Sequence, residues 1–214
     1  MTLEKRWKSA GNTWRHLIEN SANVQRNIEH INASSKLISN CNSIVDWGPG
    51  GGFVSKAISD NLGTIEHIEY VDICDDHFDF VENVLQNTEV LIGHKIEENQ
   101  MPNISINPDI LVAYSVIYHM PSLEYAMNVL DYWNNTLKPV NILVRSFFTE
   151  KIDWERPKDT YEIGDNLLRG NMMTLDTFSK HLSNYAFVEK TQTRKMTHRN
   201  CPPHLDMRLT LRRK

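Results

Sequence analysis

The residues best suited to chemistry form one run, Asp46-Trp47-Gly48-Pro49-Gly50-Gly51-Gly52. Four of its last five positions are glycine. Glycine lets the backbone turn tightly and approach a ligand with no Cβ in the way. A glycine-rich loop alone is weak evidence, because packing can also demand one. Here a short apolar strand, Ser43–Trp47, leads in and a helical stretch from Phe53 to Asp60 leads out. That context is the strand-to-helix turn where open α/β sheets bind ligands. Asp72 ends the next strand, 20 residues after Gly52. An acid there can accept hydrogen bonds from both hydroxyls of a ribose, or it is a solvated strand-end acid. Combined with the loop, the ribose reading is the stronger.

Charge narrows the ligand. The dinucleotide fingerprint wants glycine at the first, third and sixth positions, and the sixth counted from Gly48 is Phe53. Asp46 would hold a carboxylate close to where a dinucleotide's diphosphate lies, and like charges repel. A cationic amine in that place would be attracted. S-adenosylmethionine carries an ammonium and a sulfonium and no phosphate, so the charge favours the methyl donor. Two alternatives stay open: a nucleotide-dependent oxidoreductase that shares the sheet and the ribose acid, and a binding subunit that keeps the fold without catalysis.

Methyl transfer is an in-line displacement at carbon, so the protein's main task is to hold the nucleophile near the methyl. A hydroxyl acceptor also needs a base. His119, at the expected end of the fourth strand, titrates near neutrality in its ordinary state and is the best-placed base. The other reading is that it caps the helix that follows or hydrogen-bonds a neighbouring strand. Glu150, Trp154 and Tyr161 lie in an aromatic and charged stretch, 147–170, that suits an acceptor pocket or plain surface packing. Trp7 and Trp14 suit a lid over the cofactor or an amphipathic helix lying on the sheet. The histidines show no metal-ligand spacing, and no metal is expected.

The elements that must position these groups alternate along the chain. The first 40 residues have a helix-like apolar pattern, and residues 41–214 are expected to form the cofactor-binding domain. Strands are expected at Ser43–Trp47, His67–Asp72, Glu89–Ile92, Asp109–Tyr114 and Val140–Val144. Helices are expected over about Asp75–Gln86, from Pro121 to Leu137 and from Leu175 to Leu182 behind a Thr174 cap. Such alternation means an α/β, doubly wound, mostly parallel sheet with helices on both faces. Phe187–Met196 and Leu205–Leu211, joined through a Cys201-Pro202-Pro203 turn, are expected to add an antiparallel hairpin, for seven strands in all.

This pattern resembles class I S-adenosylmethionine-dependent methyltransferases from Ser43 to about Leu137, and only generically beyond. Asp46-x-Gly48-x-Gly50-x-Gly52 is similar to that family's first motif. Asp72 matches its ribose acid, and the run Asp109 to His119 resembles its fourth-strand segment. The resemblance implies S-adenosyl-L-methionine as cofactor. It places Asp46, Gly48, Pro49 and Gly50 at the methionine end and Ile73 against the adenine. The Tyr114 backbone and Ser115 would line the methionine portion. One departure stands out. Where the family often shows Gly-Asp after strand three, this chain has Gly93-His94-Lys95-Ile96, so the adenine would be read by backbone groups there under an Ile96 cover.

Bulk properties set the outer bounds. The 214 residues are 40% hydrophobic and 23% charged, ordinary for a globular chain. A net charge of −4 makes nucleic acid an unlikely partner. From Val188 onwards, however, eight Lys/Arg face two acids. That is either a solvated pair of edge strands or a basic wall for an anionic acceptor. Three scattered cysteines read as free thiols, and with no apolar leader the expected location is the cytoplasm. The acceptor is expected to be a small molecule, methylated at oxygen more readily than at nitrogen.

Overall fold

A computed structural model describes residues 21–97, 99–155, 170–198 and 201–214. Trp7, Trp14 and Tyr161 lie outside the described residues. The chain divides into two compact units, Met1–Val112 and Ala113–Lys214.

The first unit opens with helix α1 (Ser21–Ile38), whose Ile31, Ser34 and Ile38 are fully buried at helical spacing. Strand β1 (Ser43–Trp47) is buried at all five positions, as a strand covered on both faces should be. It runs parallel to β2 (His67–Asp72) on one side and to β4 (Ile110–Tyr114) on the other. The carboxylate of Asp109 clamps the lower ends of β1 and β4, accepting from the Asn42 amide (2.9 Å) and the Ser43 hydroxyl (3.0 Å). β3 (Val90–Lys95) pairs parallel with β2, so the chain winds outward from β1 and then returns to its other flank. The order β3-β2-β1-β4 therefore reverses at β1, whose carboxyl end lies at the switch point where such sheets bind ligands. Helix α2 (Phe53–Leu62) follows the glycine loop and ends on Gly63 at φ 64, whose amide donates to Ser59 O (2.8 Å). The helix expected over Asp75–Gln86 is a 3-10 turn, Asp75–His77, and then α3 (Phe78–Val84). β3 reaches three residues further than expected, through Gly93, His94 and Lys95.

In the second unit, helix α4 (Leu123–Tyr132) begins two residues after the expected Pro121 and is capped by Ser122, whose hydroxyl accepts from the Tyr125 amide. The proline stands just outside, because a side-chain acceptor serves the first turn better. A π-turn, Trp133–Leu137, extends the helix to the expected end. β5 (Asn141–Thr149) is buried throughout. It carries a two-residue parallel partner, β6 (Met173–Thr174), beyond the expected seven strands. Thr174 caps α5 (Leu175–His181) as anticipated, accepting from the Thr177 amide. β7 (Tyr185–His198) and β8 (Cys201–Arg213) form the antiparallel hairpin, and β8 also pairs antiparallel with β5.

Cys201-Pro202-Pro203 is not the turn but the start of β8. The last β5 residue, Thr149, pairs with His204. Both prolines thus lie past the end of β5, where no ladder on that side needs their missing amides. Among the described residues, no helix is long and apolar enough to cross a membrane.

Candidate active site

In the first unit, the loop after β1 takes its shape from three glycines in the left-handed region: Gly48 (φ 71), Gly50 (φ 55) and Gly52 (φ 72). A side chain at any of them would be strained. Pro49, with φ set by its ring, lies between the first two, and its carbonyl accepts from the Gly52 amide at 2.9 Å. The Gly48 amide donates to Val71 O (2.8 Å), which ties the loop to the end of β2. A Cβ on Gly52 would lie 3.4 Å from Val81 of α3, so this glycine also permits close packing.

The two acids behave as a pair. Asp46 is 2% exposed, and Ser55 in the first turn of α2 donates its hydroxyl to Asp46 Oδ2 at 2.6 Å. Burial raises the Asp46 carboxyl to about 7; the Ser55 hydrogen bond opposes the rise and the Asp72 charge adds to it. Burial likewise raises Asp72 to about 6, against amide hydrogen bonds from Cys74 (2.9 Å to Oδ1) and Ile73. Both carboxyls are held above their ordinary range chiefly by burial, and a cation beside them would favour the charged form of both.

The end of β3 accounts for the Gly93-His94 departure. His94 Nε2 lies 2.5 Å from Glu69 Oε2 on β2, and His67 Nε2 lies 3.2 Å from Oε1. The Ser105 hydroxyl (2.5 Å) and amide complete the shell of this fully buried carboxylate. Burial pushes the Glu69 carboxyl up, but the Ser105 hydrogen bonds and His94 outweigh it and hold it below the usual range. His94 thus spends its side chain on Glu69. Lys95, expected with it at the cofactor, places its ammonium 2.9 Å from Asp75. The Ile96 amide donates to Asp72 O (3.0 Å), and its side chain is buried. Gly93 has its own reason. A Cβ there would lie 2.5 Å from the hydroxyl of Tyr70, its register partner on β2, which donates to Glu82 (2.9 Å).

In the second unit, Tyr114 ends β4 buried, and Ser115 follows with φ 63, its amide donating to Arg145 O at 2.8 Å. A serine in the left-handed region costs of order 1 kcal/mol, and such strain concentrates where function requires it. His119 closes a 3-10 turn, Ile117–His119, with its ring centroid 4.1 Å from that of Tyr118. Burial drives its pKa down to about 3, so the imidazole is neutral across the physiological range. Tyr118 stacks in turn on Phe147 (4.4 Å) and joins an apolar cluster with Met172 and Met196, against which Trp154 packs. The Tyr118 carbonyl accepts from the Gly170 and Asn171 amides, both at 3.0 Å, and a Cβ on Gly170 would lie 2.5 Å from it. Glu150 is exposed and pairs with Lys195 (2.8 Å) on the surface.

Sequence reasoning missed Ser55 and the buried Arg145–Asp206 ion pair (3.0 Å). Each left a trace: a serine beside Ile58 on the apolar stripe of α2, and charged residues inside apolar strands. Among the described residues, no group of three or more His, Cys, Asp or Glu is arranged to hold a metal ion.

No family model matches this chain, and no curated protein matches it in sequence. Solved structures do match in fold. The N-methyltransferase NodS from Bradyrhizobium japonicum WM9, in complex with S-adenosyl-L-homocysteine, superposes with a TM-score of 0.67 at 12% identity. That match covers 97% of this chain and 98% of NodS. The 1,6-didemethyltoxoflavin-N1-methyltransferase of Burkholderia thailandensis, bound to 1,6-didemethyltoxoflavin and S-adenosylhomocysteine, gives 0.66 at 11% identity, over 99% of this chain and 87% of its own. An S-adenosylmethionine-dependent methyltransferase from Clostridium acetobutylicum ATCC 824 gives 0.63 at 10% identity, covering 96% and 98%. The chain has the Rossmann-like fold of class I S-adenosylmethionine-dependent methyltransferases.

Proposed function

We propose that this chain is an S-adenosylmethionine-dependent methyltransferase acting on a small-molecule acceptor. The observation that carries the reading is the carboxyl pair, Asp46 raised to about 7 and Asp72 to about 6, beside a loop shaped by left-handed glycines. A buried carboxylate at the loop favours a cationic ligand and disfavours a diphosphate. In this reading Asp46, Gly48, Pro49 and Gly50 take the methionine end, Asp72 the ribose, and Ile73 and Ile96 the adenine. Tyr114 and Ser115 are assigned to the methionine portion by the family resemblance, and the strain at Ser115 supports a constraint there. His94 and Lys95 contribute backbone rather than side chains. The bound cofactor supplies an electrophilic methyl on a sulfonium, so the protein needs to hold and orient more than to activate.

His119 bears on the choice of acceptor atom. A histidine pushed to about 3 is a poor base for a hydroxyl, because proton transfer to it is steeply uphill. A neutral amine or ring nitrogen attacks with a lone pair already available, so this environment supports nitrogen ahead of the oxygen favoured from sequence. Two of the compared structures are described as N-methyltransferases, in keeping with that choice. His119 then acts as a neutral hydrogen-bonding group towards the acceptor. Calorimetric titration with S-adenosylhomocysteine tests the cofactor reading; no binding at millimolar ligand overturns it. Quenching of protein fluorescence by NADH, with energy transfer to the nicotinamide, would instead favour the oxidoreductase.

A further inference from the structure

The proposed cofactor site contains a polar contact that the glycine loop and the ribose acid do not explain. Ser55 is fully buried in the first turn of α2 and donates to Asp46 Oδ2 at 2.6 Å. A short hydrogen bond between a hydroxyl and a carboxylate marks a charge-assisted contact. Among the described residues, Asp46 Oδ1 accepts no hydrogen bond. One oxygen is thus fixed by the helix and the other left for a ligand.

We propose that Ser55 is a positioning residue for the cofactor's ammonium, orienting the Asp46 carboxyl and favouring its ionised form. The inference rests on the methyltransferase reading and deepens it. Two features argue for the role over plain packing. The chosen partner is the loop acid, nine residues earlier across the glycine turn. The contact also opposes the two influences that hold Asp46 neutral, which are burial and the Asp72 charge. The groups facing Asp46 are Ser55 from α2 and Asp72 from β2; neighbouring Lys56 is turned to Asp60 (2.8 Å).

The test is the affinity for S-adenosylhomocysteine, measured by calorimetry at pH 7 and pH 8.5 on folded wild type, Ser55→Ala and Ser55→Thr. Loss of a hydrogen bond to a charged group raises the Asp46 pKa by about one unit. Ser55→Ala should then bind roughly fivefold to tenfold more weakly than wild type at pH 7 and within about twofold at pH 8.5, where Asp46 ionises unaided. Ser55→Thr, which keeps the hydroxyl, should restore the wild-type profile. Equal affinity at pH 7 would overturn the role, and so would a deficit that does not shrink with pH. If the alanine variant does not fold, Ser55→Cys keeps the volume with a weak donor and is expected to show the same shift; wild-type affinity in that variant would overturn the role equally. Absence of binding by the wild type itself would overturn the methyltransferase reading instead, so the two failures are distinguishable.

Discussion

Asp46→Asn should stabilise the free protein at alkaline pH while removing its cofactor affinity. The Asp46 carboxyl rises from 3.8 to about 7 on folding. A carboxyl raised on folding holds its proton in the native state and loses it in the unfolded one. Stability therefore falls as pH climbs from about 4 to about 7 and then levels off. Between pH 5 and pH 7 the native state retains close to one more proton than the unfolded chain, which at about 1.4 kcal/mol per pH unit amounts to roughly 2 to 3 kcal/mol. Asparagine does not titrate, and it can still accept from the Ser55 hydroxyl. The advantage of Asp46→Asn over wild type should therefore grow by that amount between pH 5 and pH 8. For a chain of this size that is an increment of about 5 to 10 °C in Tm. Thermal melts of both proteins at the two pH values read it directly. An advantage that is absent, or no larger at pH 8 than at pH 5, would refute the claim that burial of this carboxyl opposes folding. Adding S-adenosylhomocysteine should raise the Tm of wild type only.

Two further substitutions probe the neighbouring groups. Asp72→Ala should leave the protein folded, since the residue is partly exposed at a strand end, and weaken S-adenosylhomocysteine binding by about a hundredfold, as expected for a lost charged hydrogen-bond acceptor; calorimetry showing unchanged affinity would remove the ribose assignment. Gly93→Ala should cost about 2 kcal/mol or more in denaturant unfolding, because its Cβ would lie 2.5 Å from the Tyr70 hydroxyl. Combining it with Tyr70→Leu should recover part of that loss, and strictly additive costs would show that the ring is not the obstacle.

The features legible in the sequence are those whose causes are local. The glycine turn, the acid closing β2 and the Thr174 cap each depend on a few adjacent residues, so type and spacing disclose them. The invisible features depend on partners far along the chain. His94 stands where the resembled family often has an acid, and its ring pairs with Glu69, 25 residues away. Nothing beside His94 announces that carboxylate, since Glu69 in its strand reads as one half of an ordinary polar–apolar alternation. Gly93 likewise reads as part of a cofactor motif, although its immediate neighbour is the Tyr70 ring. His119 shows the same limit in its chemistry. Its position was readable, but the burial that lowers its pKa to about 3 belongs to the packed unit.

The carboxyl pair also supplies a criterion for the ligand that does not depend on fold at all. Near pH 6.5, Asp46 at about 7 is mostly protonated and Asp72 at about 6 mostly ionised. A cationic ammonium at Asp46 and ribose hydroxyls at Asp72 both favour the charged forms, so binding must expel about one proton at that pH and almost none at pH 8. A diphosphate in the same loop would push Asp46 further towards its neutral form, and binding near neutrality would take a proton up. The sign of proton exchange, read from calorimetry in two buffers of different ionisation enthalpy, thus separates a methyl-donor site from a dinucleotide site on one sheet. Uptake on binding S-adenosylhomocysteine at pH 6.5 would mean that Asp46 does not face the ammonium, whatever the affinity. Release confined to the range below about pH 7.5 would match a cation at the carboxyl pair, whose ionisation burial opposes.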